Sequence, residues 1–407
     1  MDGYWQNHQK ERCSGCEACA AACPVDAIRM TADDEGFRYP QINADACIGC
    51  RRCEKVCPLA HPVAKHEGSP LVFGGYHRDA SIREASTSGG AFTALMDAWC
   101  DENYVIFGAA AKGLDVYHTP IWDKAEAGAL RKSKYCQSFL GDGQIYRQVR
   151  ECLADGRKVL FSGTPCQIAG LLSFLGDKAD TDRLLTIEVV CESVPSPLLI
   201  QKYAAAQEKK SGSGVTALDY RYKDGKRWDF EVMKVTFENG RSKKTDRWFH
   251  PFWSIWLGRL LNRPSCDACP FKRPERVADI TLGDLWGVHL YCPELYGGNG
   301  GSSLIACGSD KGRAVLEKAK ASLTGHELNF ETALKYQSPM RTCAPANPRR
   351  GEFMEDLKRM TYPELCRKWY SRPSVKLLVS KYLWGSNRQV VFWWKLRHAW
   401  RPTDKRR

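Results

Sequence analysis

The chain has 407 residues, 43% hydrophobic and 26% charged, ordinary for a globular protein and too long for one compact domain. Met1–Arg12 is polar where a secretory signal would be apolar, and no apolar run nears the roughly 18–20 residues of a membrane-spanning helix; the expected compartment is the cytoplasm. The +13 formal charge is uneven: residues 1–60 hold seven Lys/Arg against nine Asp/Glu, and residues 341–407 hold seventeen against five.

Nineteen cysteines in a chain of this size do not read as a disulfide scaffold, which suits small secreted domains. Eight of them form two runs at the front. Cys13, Cys16, Cys19 and Cys23 precede Pro24, and Cys47, Cys50, Cys53 and Cys57 precede Pro58, each residue 34 positions after its counterpart. In the C-x2-C-x2-C-x3-C-P spacing, three cysteines of one tight loop hold one 4Fe–4S cubane and the fourth crosses to the other. The expected ligand sets are therefore Cys13, Cys16, Cys19 and Cys57, and Cys47, Cys50, Cys53 and Cys23. Structural zinc, which favours two separated pairs, suits the crowding poorly. Residues 10–60 resemble bacterial two-cluster ferredoxins, and residues 1–63 are expected to form that domain.

A polar linker, Ala64 to Pro70, leads into segments that alternate between strand and helix character. Strands are expected at Val105–Ala109, Lys158–Ser162, Leu184–Val190 and Leu304–Cys307. Helices are expected at Ala91–Cys100, Ile145–Leu153, Gln167–Leu175, Pro197–Ala206 and Lys311–Ala321. The alternation predicts an α/β body, and Val215–Lys244, reversing at Glu238-Asn-Gly-Arg241, reads as an inserted β-hairpin. The overall class is α+β: a ferredoxin-like module, an α/β body and a helical basic tail.

Three features of the body carry chemistry. Ser88-Gly89-Gly90 opens the helix at Ala91, where free backbone N–H groups suit a phosphate, although a plain Ser/Gly cap explains the same residues. Ser162-Gly163-Thr164-Pro165-Cys166-Gln167 joins a strand to a helix, the place where α/β sheets put ligand sites. By position alone Cys166 is a nucleophile, a metal ligand or a packed thiol. Cys266-x2-Cys269 is a lone pair of the kind used for zinc or redox work. The remaining seven cysteines read as small packed hydrophobes.

Together with Ser133-Lys134-Tyr135-Cys136-Gln137-Ser138, Cys191-Glu192 and Gly283-Asp284, these motifs make residues 70 to about 340 resemble the coenzyme F-420-reducing hydrogenase beta subunits. The same family includes deazaflavin-linked formate dehydrogenases and plant 7-hydroxymethyl chlorophyll a reductase. The resemblance implies FAD and a third 4Fe–4S cluster, ligated by Cys166, Cys191, Cys266 and Cys269. It implies FAD contacts from Ser88, Gly89, Gly90, Ser133, Lys134, Tyr135, Ser138 and Thr164, in parts spanning 70–155 and 156–340. One departure is Glu192-Ser193, where many bacterial members have His-Gly. The implied activity is an iron–sulfur flavoprotein oxidoreductase exchanging hydride with coenzyme F-420 or another unsaturated acceptor; the alternative is an electron-relay beta subunit inactive without a larger complex. The expected partners are a ferredoxin or other redox protein and an organic acceptor, with no nucleic acid.

The tail, 341–407, carries five tryptophans, Trp369, Trp384, Trp393, Trp394 and Trp400. Val390–Trp400 mixes large apolar and basic residues, as interfacial helices do, so peripheral contact with the inner face of a membrane is one expectation. A helix packed on the body with a solvated basic end is the other.

Overall fold

The computed structural model describes residues 4–399 apart from 224–227, 229–230, 297–299 and 344. The N-terminal module is shaped by its cysteine loops. Each loop turns through two left-handed residues, Gly15 (φ 65°) and Glu17 (φ 66°) in the first, Gly49 (φ 68°) and Arg51 (φ 57°) in the second. The 34-residue repeat thus extends to the backbone. Glycine adopts this conformation freely, whereas glutamate and arginine do so at a cost. Helix α1 (Ala18–Ala22) follows the first loop. Strands β1 (Ile28–Ala32) and β2 (Arg38–Ile42) pair antiparallel beside it, and their core is little more than Ala20, Ile28 and Met30.

The body is built on an eight-stranded sheet of β3 (Leu71–His77), β4 (Tyr104–Lys112), β5 (Asp115–Ile121), β6 (Lys158–Gly163), β7 (Leu184–Val189), β11 (Ile280–Asp284), β12 (Ser303–Cys307) and β13 (Leu323–Leu328), in the order β13-β3-β12-β11-β7-β6-β4-β5. The central run β11-β7-β6-β4 is parallel and the flanking strands are antiparallel. Buried on both faces, its strands read as apolar runs, as parallel strands do. Helices α2 (Ala91–Trp99) and α8 (Asp310–Ala319) cover one face through Leu95, Met96, Val315 and Leu316. Helices α3 (Gln144–Ala154) and α4 (Pro165–Leu175) cover the other through Tyr146, Val149, Ile168 and Leu171.

Most expected elements are present, with shifted ends that have local causes. Helix α4 starts two residues early, at Pro165, because Thr164 and Gln167 form a reciprocal capping box. The helix expected from Pro197 runs as α5 (Leu198–Ser211), closed by left-handed Gly212. The inserted segment is a correction: it is a three-stranded antiparallel sheet, not a hairpin. Strand β9 (Val232–Phe237) lies between β8 (Val215–Tyr222) and β10 (Ser242–Thr245). The turn at Glu238–Arg241 joins only the last two; β9 is largely buried, and β8 and β10 pair its backbone N–H and C=O groups on both edges.

A second core gathers Tyr220, Met233 and Val235 of that sheet with Phe252, Trp253 and Trp256 of α6 (Pro251–Leu257). Phe353 and Leu357 of α9 (Arg350–Arg359) and Leu365 and Trp369 of α10 (Tyr362–Trp369) enter the same core, so residues 350–369 pack as part of the body. Helix α11 (Ser386–Ala399) lies against α7 (Val288–Tyr291) and the Pro293–Leu295 turn. It buries Val391 while leaving Phe392 and Trp393 more than half exposed. Trp400 lies outside the described residues. Among the described residues, no helix is long and apolar enough to cross a membrane.

Candidate functional site

Cys13, Cys16, Cys19 and Cys57 converge on one small pocket, the crossed arrangement the spacing predicts. Their surroundings are apolar, and burial pushes the Cys16 and Cys19 thiols well above the ordinary thiol range. Four thiolates in such a site require a compensating cationic centre. The other set is in a different situation. Cys23 and Cys53 are half-buried against the small core of the module, whereas Cys47 and Cys50 are exposed and Ile48 between them is 64% exposed.

The first loop is fastened to the body. The buried carboxylate of Glu17 accepts the backbone N–H of Leu140 (2.8 Å) and of Gly143 (3.1 Å), at the N-terminus of α3, where negative charge is favoured. Gly143 is left-handed, and a Cβ there would run into the Ala21 backbone nitrogen; only glycine permits this approach. Arg147 of α3 donates to the carbonyls of Ala20, Ala21 and Cys23 at 2.9–3.0 Å, satisfying the open end of α1.

Arg263 is 1% exposed. Its guanidinium donates to the Cys13 carbonyl (2.9 Å), the Arg38 carbonyl (2.9 Å) and Gln137 Oε1 (3.2 Å), with one nitrogen 3.8 Å from Cys13 Sγ. Gln137 in turn donates to the carbonyls of Ser14 (2.8 Å) and Gly15 (3.2 Å). Neither Arg263 nor Glu17 stood out in the sequence, because each acts on partners more than a hundred residues away.

Cys166, Cys191, Cys266 and Cys269 line a second pocket. Gly163 of β6 pairs with Glu188 of β7, and Cys166 and Cys191 each follow three residues later, at the carboxyl ends of adjacent parallel strands. The Cys266–Cys269 loop closes the set after the short turn Pro264–Cys266. Arg263 and Lys272 border it and lower the thiol pKa values that burial raises, while Arg276, also in the lining, is paired with buried Glu188. Ser14 and Leu59 of the N-terminal module line the same pocket. Helix α4 connects the two sites: Cys166 is in its first turn, and at Gly170, one turn on, a Cβ would meet Cys16 Sγ at 3.1 Å. In both pockets the donor set is four sulfurs, which fits an iron–sulfur cubane.

Beyond Cys191 the space opens into a cleft of ≈ 550 Å³, within the roughly 300–1,000 Å³ range of small-molecule sites. Ser88, Gly90, Ser133, Lys134, Tyr135, Ser138 and Thr164 all line it. Gly89 lies behind the wall: its N–H donates to Ser303 Oγ (2.9 Å), and a Cβ would sit 2.6 Å from the Gly75 carbonyl. The N-terminus of α2 faces the cleft at Ala91 and Phe92, and no side chain caps it. Buried Lys223 holds the preceding turn from beneath, donating to the carbonyls of Ser88 (2.7 Å) and Gly300 (2.8 Å); burial pushes its pKa down to about 7.

Several of these side chains are held in place by contacts within the protein. Lys134 Nζ donates to the Arg131 (2.6 Å) and Ala129 (3.1 Å) carbonyls, and burial lowers its pKa to about 8. Ser88 Oγ donates to the Ser302 carbonyl (2.7 Å). Ser133 Oγ bonds Thr87 Oγ1 (3.1 Å), and Ser138 Oγ accepts from Gln167 (3.0 Å). Tyr135 stacks edge-on against Trp256 (4.7 Å), Trp253 (5.3 Å) and Tyr220 (5.2 Å). Thr164 Oγ1 lies 3.2 Å from Cys166 Sγ, placing one hydroxyl between the thiol pocket and the cleft. Glu192 pairs with Arg259 (2.7 Å), and the Ser193 hydroxyl with Asn262 (2.7 Å).

Residues 12–60 match the 4Fe-4S dicluster domain, and residues 156–329 match the family described as the C terminus of the coenzyme F420 hydrogenase/dehydrogenase beta subunit. This is an iron–sulfur electron-transfer protein related to those beta subunits. Both resemblances read from the sequence are borne out; the family match begins at residue 156 and does not reach 70–155. A chain of the F420-reducing NiFe hydrogenase complex from Methanosarcina barkeri is similar at 15% identity and TM-score 0.44, covering 75% of this chain and 91% of that one. No curated protein matches.

Proposed function

We propose that the protein is an iron–sulfur flavoprotein oxidoreductase. Cys47, Cys50, Cys53 and Cys23 would hold one 4Fe–4S cluster, Cys13, Cys16, Cys19 and Cys57 a second, Cys166, Cys191, Cys266 and Cys269 a third, and the cleft would hold FAD; together these groups would supply a path for single electrons in either direction. The observation that carries this reading is continuity. Ser14 and Leu59 of the first module line the third thiol pocket, and Cys191 and Ser193 line both that pocket and the cleft.

FAD, when bound, supplies the exchange between single electrons and a hydride, which clusters cannot make. The residues of the chain do the rest. The uncapped N-terminus of α2, with Ser88 and Gly90, presents N–H groups to the pyrophosphate. Lys223 fixes the turn that carries them. Tyr135, Trp253 and Trp256 give the cleft an apolar wall that excludes water. Arg263 and Lys272 offset the thiolate charge beside the third pocket. The hydride partner in this reading is coenzyme F-420 or another unsaturated acceptor. Anaerobic purification tests it: about twelve irons and about one flavin per chain are expected, and Cys266→Ser should remove about four irons and spare the front pair. An iron-free or flavin-free chain after oxygen-free reconstitution sinks it.

A second reading is an electron-relay subunit of a larger complex, favoured by the exposure of Cys47, Cys50 and Ile48, a surface suited to a redox partner. Reduction of a deazaflavin by the isolated chain would exclude it.

A further inference from the structure

At the β13 edge of the eight-stranded sheet, three side chains not used above converge. Cys292 follows α7, Glu294 lies in the Pro293–Leu295 turn and His326 stands on the edge strand β13. Cys292 Sγ is 3.2 Å from Glu294 Oε1 and 3.4 Å from His326 Nε2, and those two are 3.0 Å apart. Zinc bonds of about 2.3 Å to sulfur and 2.0–2.2 Å to nitrogen and oxygen, at a tetrahedral angle, put such atoms about 3.3–3.6 Å apart. The triangle matches within a few tenths of an ångström. Among the described residues this is the one group of three such side chains recorded with its ligand atoms so close.

The orientation of the ring points the same way. His326 Nδ1 lies 3.0 Å from the Glu327 carbonyl, which only accepts, so Nδ1 carries a proton and Nε2 is the atom turned toward the carboxylate and the thiol. This is the arrangement in which a backbone carbonyl orients a ligating imidazole. Cys292 is buried, while the Glu294 and His326 side chains are 43% and 48% exposed, so the fourth position opens to water.

We propose that Cys292, Glu294 and His326 bind one zinc-class divalent cation that clips the edge strand β13 to the segment following α7. Helix α7, which leads into that segment, starts directly after Gly287, the neighbour of Trp286 on the rim of the cleft, and α11 packs over the Pro293–Leu295 turn. The clip does not depend on the FAD reading, and its readout is not activity.

Holoprotein with its full iron complement, given one equivalent of Zn²⁺ and dialysed, should retain one zinc per chain. Its X-ray absorption should show a single sulfur neighbour and the rest nitrogen and oxygen. His326→Asn, a change at an exposed side chain, should lose the zinc with iron unchanged, as should Cys292→Ser where it folds. Thermal unfolding of wild type, but not of His326→Asn, should shift upward with added zinc, as preferential binding to the native state requires. No retained zinc in iron-replete wild type, equal retention by His326→Asn, or a four-sulfur environment marking metal at the cluster cysteines would each overturn the proposal.

Discussion

The two cysteine loops have the same spacing and the same pair of left-handed residues, yet opposite surroundings. The first is buried against the body: Glu17 is tied to the start of α3, and Gly15 lies against Arg263. The second is exposed: Arg51, the counterpart of Glu17, forms a surface pair with Glu54, and among the described residues nothing lies within 4 Å of a Cβ at Gly49. Spacing sets the donor atoms each loop offers; the neighbours set whether those atoms face solvent or the interior.

Substitutions at matched positions sharpen this contrast. The largest effect is expected at the buried loop's cation. Arg263→Leu leaves the Cys13 and Arg38 carbonyls and Gln137 Oε1 without their donor, at about 1–3 kcal/mol each, and unfolding of the iron-loaded chain should show a loss of several kcal/mol. With less positive charge nearby, the interior clusters should also become harder to reduce in an EPR-monitored titration, while the exposed one is unchanged.

Next, Glu17→Ala strands two buried N–H groups and should cost about 2–4 kcal/mol, whereas Arg51→Ala should be indistinguishable from wild type in the same denaturant titration. Burial pushes the Glu17 carboxyl up to about 7. Folding therefore favours its neutral form. Below about pH 4.5 both states are protonated and there is no effect, and as pH rises to 7 the native state loses stability through this group, by roughly 3 kcal/mol in all. Glu17→Gln should flatten that slope; an equal slope in the variant would remove Glu17 as its source.

The smallest pair is glycine. Gly49→Ala meets only left-handed strain, about 1 kcal/mol, while Gly15→Ala adds a Cβ 2.9 Å from Arg263 and should cost roughly 1–3 kcal/mol more. Equal costs would mean that the first loop is not pressed against the body.

What could be read from the sequence was what repeats or alternates. The 34-residue period singled out the front cysteines, of which Cys13, Cys16, Cys19 and Cys57 line one pocket, apolar runs gave the parallel strands, and the strand–turn–helix at Gly163–Gln167 pointed to the carboxyl edge of the sheet, where Cys166 lines a pocket. The local sequence carries no trace of contacts made at long range. Arg263 reads as one arginine among many until the fold brings it between Cys13 and Gln137. Lys134 looks like a free cation, yet it is spent on carbonyls three and five residues back. The third strand of the inserted sheet was hidden because a turn signal announces one reversal and says nothing of the other edge.

Helix α4 has a mechanical consequence. Cys166 and Gly170 lie four residues apart on one hydrogen-bonded cylinder, about 6 Å along its axis, with Gly170 against Cys16. One wall of each thiol pocket thus belongs to the same stiff rod, and only the seating of Cys16 on Gly170 is left to set how far apart the two pockets lie. A side chain at residue 170 would wedge that seat open without disturbing the helix's own ladder, so the spacing of the two pockets hangs on the absence of a single methyl group.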